Sequence, residues 1–306
     1  MKKAMGWILA ILLLTVPGVR AGEMQRIMEK GELVVSLNRN TPPFCMEAKG
    51  QLVGLDVDLA RLVADAMGVK LKFIFPAAYE EQLPRLLAGE SDIIIAAMTR
   101  TPERGLRVNF SAPYFEVSQA ALVHAKLVTA QDQSYFDLAD IPGVRIGVKR
   151  QTTMEQFARK LFSAEQVKPY AGHDEAVAAL LQGEVDATVH DSPYVRVWQR
   201  RHPELSGKIR ALLAPTTTEH YGFAIRKGDP DFLEWLNLFI AQAESDGTMD
   251  LLKHQYLVEM AWLGLPQSKA ATLDKEHLMR NQFLARKMEM LERRRQAEMK
   301  KAGALY

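Results

Sequence analysis

The sequence predicts an α/β protein of two lobes with a helical C-terminal extension, and three observations carry that reading. Short β-branched apolar runs, such as GELVVSL at 31–37 and DIII at 92–95, are followed by helix-opening signals. That alternation belongs to a largely parallel sheet covered by helices. Two extended apolar segments, Val117–Val123 and His220–Arg226, bracket a second set of the same alternation, as two crossings between lobes would. Finally, Leu273–Lys301 contains neither Gly nor Pro and is rich in Met, Leu, Glu, Lys and Arg, the composition of a long helix.

Taken in order, residues 1–21 have the build of an export signal. Lys2 and Lys3 precede an apolar core from Trp7 to Val16, and Val19-Arg20-Ala21 offers a cut after Ala21. The core is shorter than a membrane-spanning helix requires, an uncleaved anchor being the alternative. No cysteine stands at its end to take a lipid. The only cysteine, Cys45, allows no intrachain disulfide, so stability rests on burial. The remaining length of about 285 residues suffices for two cores. Charge is uneven: +3 on the signal, and ten Lys or Arg against five Asp or Glu over 269–306. With a total of +2 the body is near −6, so the basic isoelectric point is no sign of a nucleic-acid partner.

Gly31–Leu37 is a first strand, leading into the turn NRNTPPF at 38–44. Asn38 suits that turn on its own account. GLDVDL at 54–59 opens a helix with Leu55, Leu59, Leu62, Val63 and Ala66 at helical spacing, and Gly68 closes it. Asp56 and Asp58 have the look of a metal pair, but no His or Cys supports one. Near a helix start they are expected to complement the dipole. Lys70–Phe75 is the next strand, and Tyr79 begins YEEQLPRLLAGESD.

The stretch Ser91–Arg104, SDIIIAAMTRTPER, is the chemically suggestive one. Its Ile run reads as a buried strand, Ala96 and Ala97 leave room for a ligand against the backbone, and Thr101 caps a helix opened by Pro102 and Glu103. In open α/β sheets ligands bind beyond the carboxyl ends of the strands. Small residues, the hydroxyl of Thr99, helix N–H groups and the fork of Arg104 together make a carboxylate receptor. An ordinary capped turn with a surface Arg is the competing reading.

In lobe two, Val144–Lys149 is a strand, Arg150–Thr153 turns into a helix near Met154, Ala176–Gln182 is a helix and Val185–His190 a strand ending at Asp191. Before Ser-Pro, Asp191 is also a good helix cap. Pro230 starts a helix with Phe232, Leu233, Leu236, Phe239 and Ile240 on one face, and a further helix runs to Tyr256.

SDIIIAAMTRTPER with VNFSAPYF at 108–115, GLDVDL at 54–59 and VHDSP at 189–193 resembles the family 3 extracellular solute-binding proteins, over about residues 31–256. These are polar-amino-acid receptors of ABC importers. The resemblance implies the type II two-lobe periplasmic-binding-protein fold. Lobe one is discontinuous (22–118 and 220–258), lobe two (119–219) is inserted through a two-strand hinge, and 259–306 is a basic helical extension. It implies that Arg104, Thr99 and Thr153 meet a ligand carboxylate, that Ala97 and Thr152 also belong to the ligand site, and that Asp191 accepts the α-ammonium. Tyr79 becomes a stacking wall, while Asn38, Lys149 and His190 face the ligand's side chain. Two departures stand out. Thr41 replaces a common aromatic, and Gln151-Thr152-Thr153 lacks the Gly usual before the two hydroxyls.

The expected function is capture of a glutamine- or glutamate-like amino acid, since Lys149 would repel a cationic one. Delivery would be to an ABC permease or a membrane receptor, by an exported, periplasmic monomer without cofactor. The enzyme alternative is cyclohexadienyl dehydratase, found on the same fold, with His190 or Glu116 as the acid. A sensory subunit is the third reading. In the tail, Leu284, Met288 and Leu291 form a short apolar stripe, and Arg293, Arg294 and Arg295 read as a solvated face or a dock for an acidic surface.

Overall fold

The computed structural model describes residues 22–48, 50–264 and 282–303, so the signal reading at 1–21 lies outside the described residues. The chain starts with α1 (Glu23–Lys30), β1 (Glu32–Ser36) and a small hairpin of β2 (Met46–Ala48) and β3 (Gln51–Val53). Then come α2 (Leu55–Met67), β4 (Lys70–Ile74), α3 (Gln82–Leu87), β5 (Ile93–Ile94), α4 (Pro102–Gly105) and β6 (Asn109–Phe110). A connecting strand β7 (Phe115–Val117) leads to β8 (Gln119–His124), β9 (Ile146–Lys149), α5 (Thr153–Leu161), β10 (Val167–Tyr170), α6 (His173–Leu181), β11 (Ala187–Asp191), α7 (Ser192–Arg201) and β12 (Ile209–Leu212). The return strand β13 (Glu219–Tyr221) is followed by β14 (Ala224–Ile225), α8 (Pro230–Ser245), α9 (Thr248–Lys253) and, after the undescribed stretch, α10 (Gln282–Gly303).

Two five-stranded sheets result, one per lobe. The first runs β4-β1-β5-β14-β6, the second β10-β9-β11-β8-β12. β1 pairs in parallel with β4 and β5, and β9 in parallel with β10 and β11, so each lobe has a parallel heart. The central strands of the first sheet are buried on both faces, with Ile93 and Ile95 in one core cluster and Ile94 in another, which is why the Ile93–Ile95 run needs no polar alternation.

The crossings are shifted from their expected places. The strands that pass between the lobes are β7 and β13, paired antiparallel from Glu219–Val117 to Tyr221–Phe115. Gln119–Val123 is already a fully buried central strand of the second sheet, and Ala224–Ile225 belongs to the first. A buried strand and a crossing strand both read as continuous apolar runs, so periodicity cannot separate them.

The expected tail helix is present as α10 from Gln282, its expected start at Leu273 lying outside the described residues. Its solvated-face reading is corrected at Arg294, which pairs with Asp65 and donates to the Arg61 carbonyl. Arg293 stays exposed, and the side chains of Leu284 and Arg295 lie outside the described residues. Met288 and Leu291 are buried in the core of lobe one, and Lys287 bonds to Thr248 at 2.7 Å.

Candidate ligand cavity between the lobes

A narrow cavity lies where the carboxyl ends of the two sheets face one another. Nine of the ten expected site residues line it: Asn38, Tyr79, Ala97, Thr99, Arg104, Lys149, Thr152, Thr153 and Asp191. Thr41, Met154 and His173 complete the wall.

On lobe one, the floor is set by a left-handed residue. Ala97 has φ 48°, and its N–H donates to Asp56 Oδ2 at 2.7 Å. Tyr114 Oη donates to the other carboxylate oxygen at 2.9 Å. Complete burial pushes the Asp56 carboxyl up to about 7, against these two donors. From the first turn of α2, Asp56 thus also clamps the turn at Ala97, and Asp58 is likewise buried on Arg61 and Tyr256. The Thr101 hydroxyl accepts from the Arg104 N–H at 3.2 Å, as capping predicts, and the Arg104 guanidinium donates to the Thr99 carbonyl at 2.8 Å. That aims it into the cavity beside the Tyr79 ring, 5.8 Å from the ring centre.

On lobe two, Lys149 ends β9 with its ammonium 4.7 Å from the same ring. Burial pulls its pKa down to about 8, partly countered by Asp191. The Thr152 hydroxyl donates to the Lys149 carbonyl at 2.6 Å and caps α5, so it shapes the turn and leaves Thr153 at the first helical position facing the cavity. Gln151, at the position where the resemblance led to an expected Gly, has φ 57°. Its N–H is held by Glu155 at 2.7 Å, which helps it to occupy a conformation Gly takes freely.

Asp191 precedes α7 but makes no side-chain capping bond, so the capping reading does not hold. Its Oδ1 is buried without a hydrogen-bond partner. Burial and the neighbouring Glu219 push its carboxyl up to about 7, while the Tyr221 hydroxyl, Lys149 and Arg104 favour the charged form. That hydroxyl nevertheless makes no bond of good geometry. An acceptor held in this way suits an incoming cationic group.

Two expectations are corrected. His190 does not line the cavity; it is wholly buried behind it, against His173, Thr188 and Tyr194. Alternation along β11 turns it to the opposite face from Asp191. Glu116 is exposed on β7, paired with His220 at 3.6 Å, and neither offered acid reaches the cavity. His173 is the residue that sequence reasoning missed. It looks like an ordinary first-turn residue after Gly172, and only the sheet-to-sheet geometry places it in the wall.

The lobes touch at the rim through Arg150–Glu80 at 3.1 Å and Gln156–Glu103 at 3.4 Å. A wider groove adjoins the cavity through Tyr79 and Arg104, with Glu103, Arg107 and Gln151 on its sides. Another lies between α6 and α7, walled by Val177, Leu181, Val197 and Trp198 together with Asp174, Arg201 and His202. Its charged groups all come from lobe two, whereas the narrow cavity brings opposite charges from both lobes, and we take that cavity as the site.

Comparison with known proteins agrees with this architecture. The chain is 28% identical over 217 residues to the ABC transporter arginine-binding protein 1 of Escherichia coli, covering 70% of this chain and 86% of the relative. It is 27% identical over 241 residues to the ABC transporter glutamine-binding protein of Bacillus subtilis, covering 76% and 84%. Among solved structures, a putative binding component of an ABC transporter from Wolinella succinogenes, complexed with lysine, superposes with a TM-score of 0.71 at 40% identity, covering 77% of this chain and all of that one. An ancestral amino-acid-binding protein described as a precursor of cyclohexadienyl dehydratase gives 0.68 at 34% identity, covering 78% and 100%. Residues 33–259, which span both sheets and the hinge, match the bacterial extracellular solute-binding proteins, family 3, and the chain belongs to that family.

Proposed function

We propose that this protein is a periplasmic receptor that captures a glutamine- or glutamate-like amino acid between its lobes and delivers it to an ABC-type importer. The observation that carries this is the meeting of Arg104 from lobe one and Asp191 from lobe two across one narrow cavity. Arg104 with Thr99 and Thr153 would hold the α-carboxylate, Asp191 the α-ammonium, and Tyr79 would cover the aliphatic part. Lys149 is then left facing the side chain, which disfavours a second positive charge and favours an acid or an amide. The named relatives bind several different amino acids, so the choice rests on these residues and not on kinship.

We read lobe one as 22–118 and 220–258, lobe two as 119–219, and the protein as an exported monomer cut after Ala21. The residues next to that cut support an ordered start: the Met24 N–H donates to Asp229 at 2.8 Å, and Glu23 pairs with Arg226. N-terminal sequencing of exported protein should begin at Gly22 or within a few residues. An intact Met1 in the membrane fraction overturns the cut.

A dehydratase is the second reading, favoured by the described ancestry of one structural neighbour. Against it, neither His190 nor Glu116 lines the cavity. A thermal-shift screen of free amino acids, run beside an incubation with prephenate, separates the two. Stabilisation by glutamine or glutamate with prephenate unconsumed is the expected result; consumption of prephenate overturns it.

A further inference from the structure

Behind the cavity wall of lobe two lies a chain of three buried polar side chains that the ligand clamp does not use. His173 Nδ1 and His190 Nδ1 are 2.8 Å apart, and His190 Nε2 lies 2.9 Å from Thr188 Oγ1. Tyr194 packs on both imidazoles, with ring centres 4.8 and 4.7 Å away, and its hydroxyl is tied to Asp174 at 2.9 Å. His190 and Thr188 are wholly buried, and His173 is 6% exposed. Of the three only His173 lines the cavity.

We infer that His173 reads the ligand's side chain, and that the Thr188–His190 pair behind it lets His173 Nε2 act either as a donor or as an acceptor. This rests on the amino-acid reading above. The argument is one of counting protons. Burial and the nearby Lys149 charge hold both imidazoles neutral, so each ring carries one N–H. A contact between two Nδ1 atoms at hydrogen-bond distance then holds one proton, and only two arrangements satisfy it. In the first, His190 Nε2–H donates to the Thr188 oxygen, His173 Nδ1–H donates to His190, and His173 Nε2 presents a lone pair. In the second, the Thr188 hydroxyl donates to His190 Nε2, His190 Nδ1–H donates to His173, and His173 Nε2–H is a donor. A hydroxyl turns freely between donating and accepting, so neither arrangement leaves a buried group unmatched. His173 Nε2 makes no hydrogen bond to a described residue, and it is not among the sealed, unpartnered atoms. It is free to meet a ligand.

The substrate class follows. A side-chain carboxylate would select the donor form, with Lys149 as its counter-charge; a carboxamide can meet either form. A guanidinium or ammonium could use only the lone pair and would still face Lys149. The relay therefore admits acid and amide side chains into one cavity while working against cationic ones.

Calorimetry with glutamine, glutamate, arginine and alanine on wild type and His173→Phe tests this, together with the ring-nitrogen NMR signals of histidine-labelled protein. The phenyl ring keeps the packing on Tyr194 and removes the polar edge. Glutamine and glutamate affinity should fall at least tenfold in the variant while alanine affinity moves by less than threefold. His173 Nε2 should be protonated in the glutamate complex. Unchanged glutamine and glutamate affinity, an equal loss for alanine, or an unprotonated Nε2 under glutamate overturns this inference and leaves the receptor reading standing. If wild type binds none of the four, the receptor reading falls and takes this one with it. Should the variant not fold, the Nε2 signal of wild type decides alone.

Discussion

Arg104 and Asp191 stand on different lobes, and in the closed cavity each faces one charge of an amino-acid ligand. Truncating one of a desolvated charge pair strands the other, at a cost of about 3–5 kcal/mol, or roughly two to three and a half decades of affinity. Arg104→Ala and Asp191→Ala should each abolish micromolar binding with the circular dichroism spectrum unchanged; wild-type affinity in either would show that the ligand is not clamped in this way. The titration of Asp191 gives a second test at the same scale. Its carboxyl sits at about 7, raised by burial and Glu219. An ammonium requires the charged form and draws that pKa down, so binding is at full strength above 7 and must expel a proton below it. Affinity should therefore fall as pH drops below about 7, approaching tenfold per unit. Lys149, at about 8, stays largely charged over that range. Calorimetry from roughly pH 5 to 8, in two buffers of different ionisation heat, reads both the affinity and the proton; a flat profile rejects the assignment.

At the scale of elements, the turns at the strand ends hold the cavity, and they do so with unusual backbone. Gly54 opens α2 with φ 144° and ψ 162°, and a Cβ there would stand 2.0 Å from the Phe44 carbonyl oxygen. Only Gly lets the start of α2 come this close to the 38–45 loop, where the Asp56 N–H donates to the Phe44 carbonyl at 3.0 Å. Gly54→Ala should cost about 3 kcal/mol or more in chemical denaturation, since backbone strain alone is worth 1–3. Gln151 is the opposite case, a side-chain-bearing residue at φ 57° before α5. Gln151→Gly should be neutral or stabilise by up to about 1 kcal/mol, relieved strain being offset by chain entropy. A loss above 1 kcal/mol would mean that the Gln side chain itself holds the turn.

For the whole molecule, the extension α10 is an integral part of lobe one. Met288 and Leu291 lie in its core, Lys287 reaches α9, and Arg294 reaches α2. None of these residues lines the cavity. A chain ending at Pro266 should bind ligand with affinity near that of the full protein, yet unfold more easily. Losing two buried side chains of this size removes about 3–6 kcal/mol at most. Denaturation and calorimetry on the shortened protein check the two halves of this statement separately. A tenfold weaker affinity, about 1.4 kcal/mol, would show that the extension also shapes the cleft.

The Ile93–Ile95 run, the α2 stripe closed by Gly68, the Thr101 cap and the Ala97, Thr99 and Arg104 part of the cavity wall could be read from residue order, because periodicity and capping are local properties of the chain, whereas the site roles of Asn38, Tyr79, Lys149, Thr152 and Thr153 came from the family resemblance. The family motifs added Asp191, which on local grounds was an equally good helix cap. What local order could not carry was direction. His190 and Asp191 are neighbours in sequence, but the pleat of β11 sends one into the core and the other to the cavity. His173, seventeen residues away, comes beside His190 only because α6 packs on that sheet. Likewise Met288 and Leu291 look like a short stripe on a polar helix until lobe one supplies the surface that buries them. The sequence by itself determined the main strands and helices and several of their caps; where the chain crosses between the lobes and which side chains meet depended on long-range packing, since burial is settled by what lies across the gap and not by the residues on either side in the chain.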